Sequence, residues 1–386
     1  MMTNFLLPPE DRYPRIEDLA IQAQRRMPRF AWAFLEHGSE HEQRLAKNLA
    51  AFQGIDLSPR YLSQATKIDT SVDIDGISYA YPFGVAPVGL GDLIWPGADR
   101  AIVQAAAAQN IPMVLSTVAS LSIEDASQLS RGNLWFQLYP TVSREIRDDL
   151  LDRAQAAGIR NLVITIDVPS PARRETARRA GLPPGGRISA ASVLQTAMRP
   201  RYALEVLRKG IPTFANLTGY AEKRSQSVAS LVQSELAARF SPADIKNVRA
   251  RWPHRIIIKG ILTPEDATDA LDLGADALWM SNHGGRQSDA LPTPVDRLPA
   301  VRASVGNAVP IFLDSGVRSG LDVLRAMSRG ANCVFLGRPL YYAVAAMGPK
   351  GATHAIDILA KGLSHSMIQH SAVCDRHLSR STSKPL

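Results

Sequence analysis

The segment Ser281-Asn-His-Gly-Gly-Arg-Gln287 brings together residue types that do chemistry in combination. His283 is a base near neutral pH, since an unperturbed imidazole titrates at about 6.5. Arg286, three residues on, presents a planar fork that suits a carboxylate. The paired glycines between them let backbone approach a ligand closely. Taken alone, the segment also reads as a glycine-rich turn carrying a structural histidine. Two further stretches, Asp314-Ser-Gly-Val-Arg318 and Gly337-Arg338, join glycine N–H groups to arginine, a combination that suits a phosphate. Lys259 stands between an apolar run and a glycine. Such a cation is either paired with an acid or faces a ligand, and a delocalised anion is a good candidate.

These residues sit at the ends of short apolar runs that need a common scaffold. The runs are Tyr81 to Pro87, Pro112 to Val118, Leu134 to Pro140, Asn161 to Asp167, Arg255 to Ile261, Ala277 to His283, Pro310 to Gly316 and Cys333 to Pro339. Each is nearly continuously hydrophobic, as strands buried on both faces of a parallel sheet are. Helical patterns lie between them. Ser122-Ile-Glu-Asp and Thr263-Pro-Glu-Asp place a hydroxyl N-cap before early acids, and Val142 to Gly158 has apolar residues at helical spacing. Eight strands alternating with helices predict an α/β fold, a (β/α)₈ TIM barrel. A doubly wound sheet is the rival. However, Val88-Gly-Leu-Gly-Asp after the first run lacks the third glycine that a dinucleotide turn needs.

A barrel collects its chemistry at the C-terminal ends of its strands. Here those ends read Ala86-Pro-Val-Gly89, Ser116-Thr117, Gln137-Leu-Tyr139, Thr165-Ile-Asp167, Lys259-Gly, Ser281-Asn-His283, Asp314-Ser-Gly316 and Gly337-Arg338. One polar strand end signals little more than a turn or a cap. Eight of them point to a site.

Composition narrows the classes. At about 150 residues per domain, 386 residues admit two or three domains, although α/β barrels commonly exceed that as one unit. The reading taken is a single domain over 1–386, with a helical lead-in over 1–60, a barrel over 61–380 and an inserted lid over 170–241. Ile16 to Gln24 and Phe30 to Leu35 are the candidate lead-in helices. Two cysteines, Cys333 and Cys374, exclude a disulfide framework and a cysteine-rich zinc site. The N-terminus has neither the basic start nor the apolar run of a signal peptide, and no stretch approaches the roughly 20 apolar residues of a membrane span. The expected location is cytoplasmic. From Ser170 to Lys259 there are 17 basic and 5 acidic residues, a net +12, so the rest of the chain carries −4. No nucleic-acid motif accompanies that charge. It fits an anionic surface, steering of an anionic substrate, or a solvated loop.

With these motifs in view, the chain resembles the FMN-dependent 2-hydroxy-acid dehydrogenase/oxidase family. The resemblance runs from about Arg15 to about Lys361 and rests on the intact Ser-Asn-His-Gly-Gly-Arg-Gln signature. Trp135-Phe-Gln-Leu-Tyr, Arg199-Pro-Arg-Tyr and Trp252-Pro-His are most similar to its mandelate and quinone-linked lactate branch. The resemblance implies FMN as cofactor and a small 2-hydroxy acid as substrate. It makes His283 the base, with Asp167 holding its imidazolium. Arg286 and Arg174 would grip the substrate carboxylate, and Tyr139 its hydroxyl end. Lys259 would stand beside the flavin N1/C2 carbonyl. Ser116, Gln137, Thr165 and Ser281 would lie around the isoalloxazine, with the backbone of Ala86, Pro87, Val88 and Gly89 against it. Asp314, Gly316, Arg318, Gly337 and Arg338 would hold the ribityl chain and phosphate. No metal is implied.

One role is filled differently. The family has a tyrosine on the lead-in whose hydroxyl contacts the substrate carboxylate, and Phe34 stands at that position. Losing one hydrogen bond to a charged group costs about 1.5–3 kcal/mol, or else signals a bulkier, more apolar substrate. Gly89 would likewise leave room above the ring, or merely ease a turn. The electron acceptor is expected to be a quinone or another acceptor, with an oxidase that uses oxygen and releases peroxide as the alternative. A non-catalytic FMN-binding barrel is a lesser one. Residues 190–217 mix apolar side chains with arginines and are the candidate contact with the inner face of a membrane. Relatives are often tetramers, which makes a homotetramer the expectation.

Overall fold

Eight parallel strands close into a barrel in chain order, the last pairing with the first. They are β1 (Phe83–Val85), β2 (Met113–Ser116), β3 (Leu134–Leu138), β4 (Asn161–Thr165), β5 (Arg255–Ile261), β6 (Ala277–Met280), β7 (Ile311–Leu313) and β8 (Cys333–Leu336). The computed structural model describes residues 7–370 except 60, 63–67, 75, 171, 182–188 and 237. Cys374 and the C-terminal part of the tail lie outside the described residues. A helix follows each strand, which makes the protein the (β/α)₈ barrel that the alternation predicts.

The strands are mostly shorter than the apolar runs that announced them. The run Ala277 to His283 yields a strand only over Ala277–Met280, and Pro310 to Gly316 only over Ile311–Leu313. Tyr139, Asp167, Ser281, His283, Asp314 and Gly337 therefore stand on the loops just beyond the sheet, where backbone is free to turn toward a ligand, while Ser116, Gln137, Thr165 and Lys259 lie within the strands. Ser122 and Thr263 cap their helices as expected, each oxygen accepting at 3.1 Å from the N–H three residues on.

Side-chain alternation explains the apolar runs. One residue in two enters the barrel, and the other faces the helices. Val114, Trp135, Val163, Ile257, Trp279, Phe312 and Phe335 form the inner core, while their neighbours join the outer one. An antiparallel hairpin before the barrel, Val72–Ile74 paired with Ile77–Tyr79, belongs to the inner core, and the Trp135 indole donates to the Tyr79 hydroxyl at 3.1 Å. It had no signal in the sequence reading.

The lead-in supplies α1 (Ile16–Arg26), α2 (Arg29–Glu36) and α3 (Gln43–Gln53). The α1 face carrying Ile16, Leu19 and Ala23 is buried, and α1 packs on α7 (Arg338–Met347), the helix that follows β8. The insertion after β4 contains α4 (Glu175–Arg179), α5 (Ala190–Ala197), α6 (Pro200–Lys209) and two further helices, Thr218–Lys223 and Val228–Glu235. It is tied to the barrel. Tyr202 donates to the Leu93 carbonyl at 2.7 Å, Lys209 to that of Pro96 at 3.0 Å, and the Asn216 amide oxygen accepts from Ile123 N–H at 2.9 Å.

Candidate active site

Continuing the in-and-out alternation by two residues from the inner core reaches the barrel mouth. Val114 leads to Ser116, Trp135 to Gln137, Val163 to Thr165, Ile257 to Lys259, Trp279 to Ser281, Phe312 to Asp314 and Phe335 to Gly337. One layer of large apolar side chains thus floors one layer of polar ones. That stacking brings these seven strand ends into one site.

Lys259 is buried at the centre of that layer. Its Nζ donates to Ser281 Oγ at 2.7 Å and stands 3.2 Å from Asp314 Oδ2 and 3.5 Å from Asp167 Oδ2. Burial alone would lower its pKa, but the Asp167 and Asp314 carboxylates outweigh burial and push it up to about 12. Ser281 Oγ is a junction: it also donates to Asp314 Oδ1 at 2.6 Å and accepts from His283 N–H at 3.0 Å. Asp314 Oδ2 accepts from the Trp279 indole at 3.1 Å.

His283 stands on a loop held in the left-handed region, with φ of 56°, 66° and 73° at His283, Gly284 and Gly285. A non-glycine residue there is strained, so the surroundings must hold it. They do so from the lead-in. Asn48 and Asn282 exchange buried amide hydrogen bonds of 2.9 and 2.7 Å. The Asp289 carboxylate accepts from the N–H groups of His41, Gln43 and Arg44 at the start of α3. The chains approach so closely that a Cβ on Gly38 would lie 2.4 Å from the Gly285 carbonyl oxygen. The imidazole Nδ1 lies 3.0 Å from Asp167 Oδ1, and Nε2 lies 3.3 Å from the Tyr139 hydroxyl. An ionised carboxylate only accepts, so Nδ1 carries a proton, and Nε2 faces the cavity beside the Tyr139 hydroxyl. Burial would raise the Asp167 pKa, but Lys259 and His283 overcome it and hold the carboxyl at about 2. Burial, followed by the Asp167 charge, pushes the Tyr139 hydroxyl up to about 12, so it stays a donor.

Arg174, Arg286 and Arg338 converge on one side of the cavity without a carboxylate at ion-pair distance among the described residues. They donate to backbone carbonyls instead. Arg174 and Arg286 both reach the Phe34 oxygen, Arg286 and Arg338 that of Leu35, and Arg338 also that of Gly284. The Phe34 ring lies under the Arg174 and Arg286 guanidiniums at 4.9 and 5.5 Å. Burial lowers all three pKa values from the usual range, followed by repulsion from Arg338 on Arg174, from Arg174 and Arg338 on Arg286, and from Arg318 on Arg338; that of Arg174 falls to about 10. Three crowded cations with only neutral partners call for an anion.

The cavity they border has a volume of about 250 Å³. Its wall includes Phe34, Ala86 to Gly89, Tyr139, Arg174, Lys259, His283 and Arg286, and further along Asp314, Gly316, Arg318, Gly337 and Arg338. Ser116, Gln137, Thr165 and Ser281 are buried just behind it. Gly89 differs from expectation: a Cβ there would sit 2.5 Å from Val118 Cγ2, so glycine admits Val118 rather than leaving open space. The sequence reading missed Asn48, Asn282, Ser315 and the carbonyls of Phe34 and Leu35. Of these Asn282 and Ser315 lie within quoted motifs, while Asn48 is 234 residues away from its partner.

FMN fits these residues. Gln137 Nε2 and Thr165 Oγ1 are buried polar atoms that make no hydrogen bond, as are Arg174 Nε and Arg338 Nη2. Buried donors are rarely left so, and these suit the polar edge of a flavin and anionic groups. Gly337 precedes α7 without a side-chain cap, and since Pro339 has no N–H and that of Leu340 bonds to the Gly337 carbonyl at 3.2 Å, the Arg338 N–H is the first helical donor for a phosphate. Gly316 has φ of 114°, and a Cβ there would collide with Asn48 O at 2.3 Å. Spare donors and a buried ammonium at the mouth of a parallel barrel match the polar edge and phosphate of a flavin nucleotide.

The chain belongs to the FMN-dependent dehydrogenase family, whose model matches residues 23–381. FMN is its cofactor, and it is an oxidoreductase of the 2-hydroxy-acid class. It is 36% identical over 354 residues to the L-lactate dehydrogenase of Caulobacter vibrioides, covering 91% of this chain and 92% of that one. With the (S)-mandelate dehydrogenase of Pseudomonas putida it shares 33% over 354 residues, 92% and 89% of the two chains. Among solved structures it is similar to the monotopic membrane protein (S)-mandelate dehydrogenase, with a TM-score of 0.89, 32% identity and coverage of 94% and 97%. Mandelate oxidase with benzoyl-formic acid follows at a TM-score of 0.81, 31% identity and coverage of 95% and 97%.

Proposed function

We propose that this protein oxidises an L-2-hydroxy acid, lactate- or mandelate-like, to the 2-keto acid and passes the electrons to a membrane quinone. The observation that carries the reading is His283 Nε2 facing the cavity between Tyr139 and the arginines, with its other nitrogen on Asp167. Bound FMN supplies the two-electron acceptor for the substrate C–H bond. Arg286 and Arg174 bind the carboxylate, their forks already aimed by the Phe34 and Leu35 carbonyls. The Tyr139 hydroxyl donates to the substrate's hydroxyl end. His283 Nε2 takes the substrate proton, and Asp167, ionised throughout, stabilises the imidazolium. Ser116, Gln137, Thr165 and the backbone of Ala86 to Gly89 hold the isoalloxazine, and Lys259 places positive charge beside it. Asp314, Gly316, Arg318, Gly337 and Arg338 hold the ribityl phosphate, and Phe34 covers the carboxylate anchors with a ring where a hydroxyl would add a bond. Anaerobic mixing with lactate and mandelate panels should bleach the flavin band. Bound flavin that no hydroxy acid reduces would overturn the assignment.

The quinone reading rests on the insertion. Leu194, Met198, Leu207 and Ile211 are exposed there, Leu207 by 83%, among Arg201, Arg208 and Lys209. No helix among the described residues is long and apolar enough to cross a membrane. A surface contact on the inner face is what such helices support. Flotation of the holoprotein with anionic vesicles supports this acceptor, and peroxide formed in step with turnover favours oxygen.

A further inference from the structure

Beside the reaction cavity lies a second one, and α2 is the wall between them. Phe34 and Leu35 face the first, while Trp32 and Ala33 border the second. The same division runs through the insertion, where Arg174 belongs to the reaction cavity and Arg179 to the other. This second cleft has a volume of about 530 Å³, and no acidic residue borders it. Four arginines do: Arg25, Arg29, Arg179 and Arg199. Arg199 is fixed by donating from Nε to the Met27 carbonyl at 3.0 Å, which leaves its terminal nitrogens for another acceptor. Arg25, Arg29 and Arg179 are exposed and have no ion-pair partner among the described residues.

The neighbouring element says what covers this cleft. Helix α5 is pinned between its two walls by Gln195, whose Oε1 accepts from Phe30 N–H at 3.0 Å and whose Nε2 donates to the Ala180 carbonyl at 3.1 Å. That anchorage leaves Val193, Leu194 and Met198 exposed on α5 and just beyond it. Exposed apolar side chains therefore begin one residue from Arg199. A phosphate attached to acyl chains matches both features, with charge in the cleft and hydrocarbon against the helix. A free metabolite phosphate would match only the first.

We infer that the Arg25–Arg29–Arg179–Arg199 cleft seats the phosphate headgroup of an anionic phospholipid, which sets the insertion on the bilayer with α2 toward it. The inference rests on the membrane reading above and adds the lipid class and its seat. The test is co-sedimentation of the FMN-loaded protein with vesicles of phosphatidylcholine alone and of phosphatidylcholine with phosphatidylglycerol. In affinity for the phosphatidylglycerol vesicles, the double variant Arg29→Gln/Arg179→Gln should lose more than the roughly thirtyfold that two diffuse surface charges contribute at about fivefold each, because it also removes donors of the seat. Its retained flavin and turnover with a soluble dye would show it folded. Arg201→Gln/Arg208→Gln removes the same charge from α6 and should lose distinctly less. Equal losses from the two pairs would replace a seat by diffuse charge, and an unchanged cleft variant would remove the seat while leaving membrane binding intact. Wild-type protein that binds no vesicle would instead overturn the membrane reading itself. Inorganic phosphate that stabilises wild type but not the cleft variant, with equal vesicle binding by both, would assign the cleft to a free phosphate.

Discussion

The barrel mouth and the insertion are both rich in cations, and they hold them in opposite ways. At the mouth, Lys259, Arg286, Arg174 and Arg338 are largely buried and fixed, each donating to a carbonyl, a hydroxyl or a carboxylate. On the insertion, Arg201 and Arg208 lie near water among exposed leucines, and among the described residues Arg208 has only the neighbouring Glu205 carboxylate at 3.6 Å. A buried fixed charge acts at one point in a weakly screened medium, so it tunes a reaction. An exposed mobile one is screened within about 8–10 Å and contributes attraction to a surface. The net +12 of residues 170–259 thus conceals two kinds of charge, because Arg174 and Lys259 belong to the mouth while others, Arg201 and Arg208 among them, are exposed on the insertion. Changes at the mouth should alter chemistry without altering surface binding, and changes on the insertion should do the reverse.

The largest expected effect is that of His283→Gln. Glutamine keeps a polar side chain near Asp167 but has no lone pair of suitable basicity. General-base catalysis contributes about 10²–10⁴-fold, so anaerobic flavin reduction by the best substrate should slow by that factor. FMN content and vesicle binding should stay as in wild type. A variant that reduced flavin within threefold of wild type would remove His283 from the base role.

Lys259→Met comes next and is read in stability as well as rate. It leaves Asp167 and Asp314 as buried carboxylates without their shared cation, and breaking such a pair costs about 3–5 kcal/mol. The pH dependence has a definite sign. Asp167, held at about 2 against 3.8, stabilises wild type above pH 3.8, and this is lost as pH falls toward 2. Lys259, raised to about 12 from 10.5, stabilises below pH 10.5, and this is lost as pH rises through 12. Between those limits both contributions are present. In the variant, burial raises the Asp167 pKa with His283 but no lysine to oppose it, so stability should fall as pH rises above 3.8. Thermal melting from pH 4 to 9 distinguishes the two profiles.

Arg286→Lys keeps a charge and removes the fork. The two hydrogen bonds that aim Arg286 at the Phe34 and Leu35 carbonyls, 2.9 and 3.0 Å long, depend on planar geometry that lysine lacks. Charge-assisted bonds are worth about 1.5–3 kcal/mol, so KM for the hydroxy acid should rise about ten- to a hundredfold. A larger change in kcat than in KM would mean that Arg286 acts on the reacting centre rather than on the carboxylate.

How much of this contrast could be read from the sequence follows from which interactions are local. The barrel was legible because each strand announces itself within seven residues, and the mouth because in–out alternation carries straight from Trp135 to Gln137 and from Ile257 to Lys259. The strained turn at His283 was visible through its paired glycines. What held that turn was not: the Asn48–Asn282 exchange and the Asp289 cap on α3 join segments more than 230 residues apart, and no spacing rule connects them. The reading of Gly89 failed for the same reason. Whether a missing Cβ leaves space depends on the neighbour, and here Val118 already occupies it. The insertion was legible in charge but not in form, since its helices are short and the apolar residues of α5 and α6 include several that face solvent rather than a core.

The smallest effect, and the one that tests the contrast from the other side, is expected from Leu194→Ser with Leu207→Ser. Both side chains are exposed, by 63% and 83%, so neither contributes much to the folded state and the melting temperature should hardly move. If these leucines enter the acyl boundary of a bilayer, each loses about 1 kcal/mol of apolar transfer on becoming serine, a fraction of the 1.5–3 kcal/mol for full burial. Together they should weaken vesicle binding by about twenty- to thirtyfold and affect neutral and anionic vesicles alike, because the lost contribution is hydrophobic. Added salt should leave that deficit unchanged while it weakens the arginine contribution in wild type and variant equally. Anaerobic flavin reduction, which needs only the mouth, should proceed at the wild-type rate, whereas turnover with vesicle-borne quinone should fall with binding. If flavin reduction slowed as well, the insertion would have to act on the reaction cavity through α4, which carries Arg174 at its start, and the separation of the two charge populations would fail there.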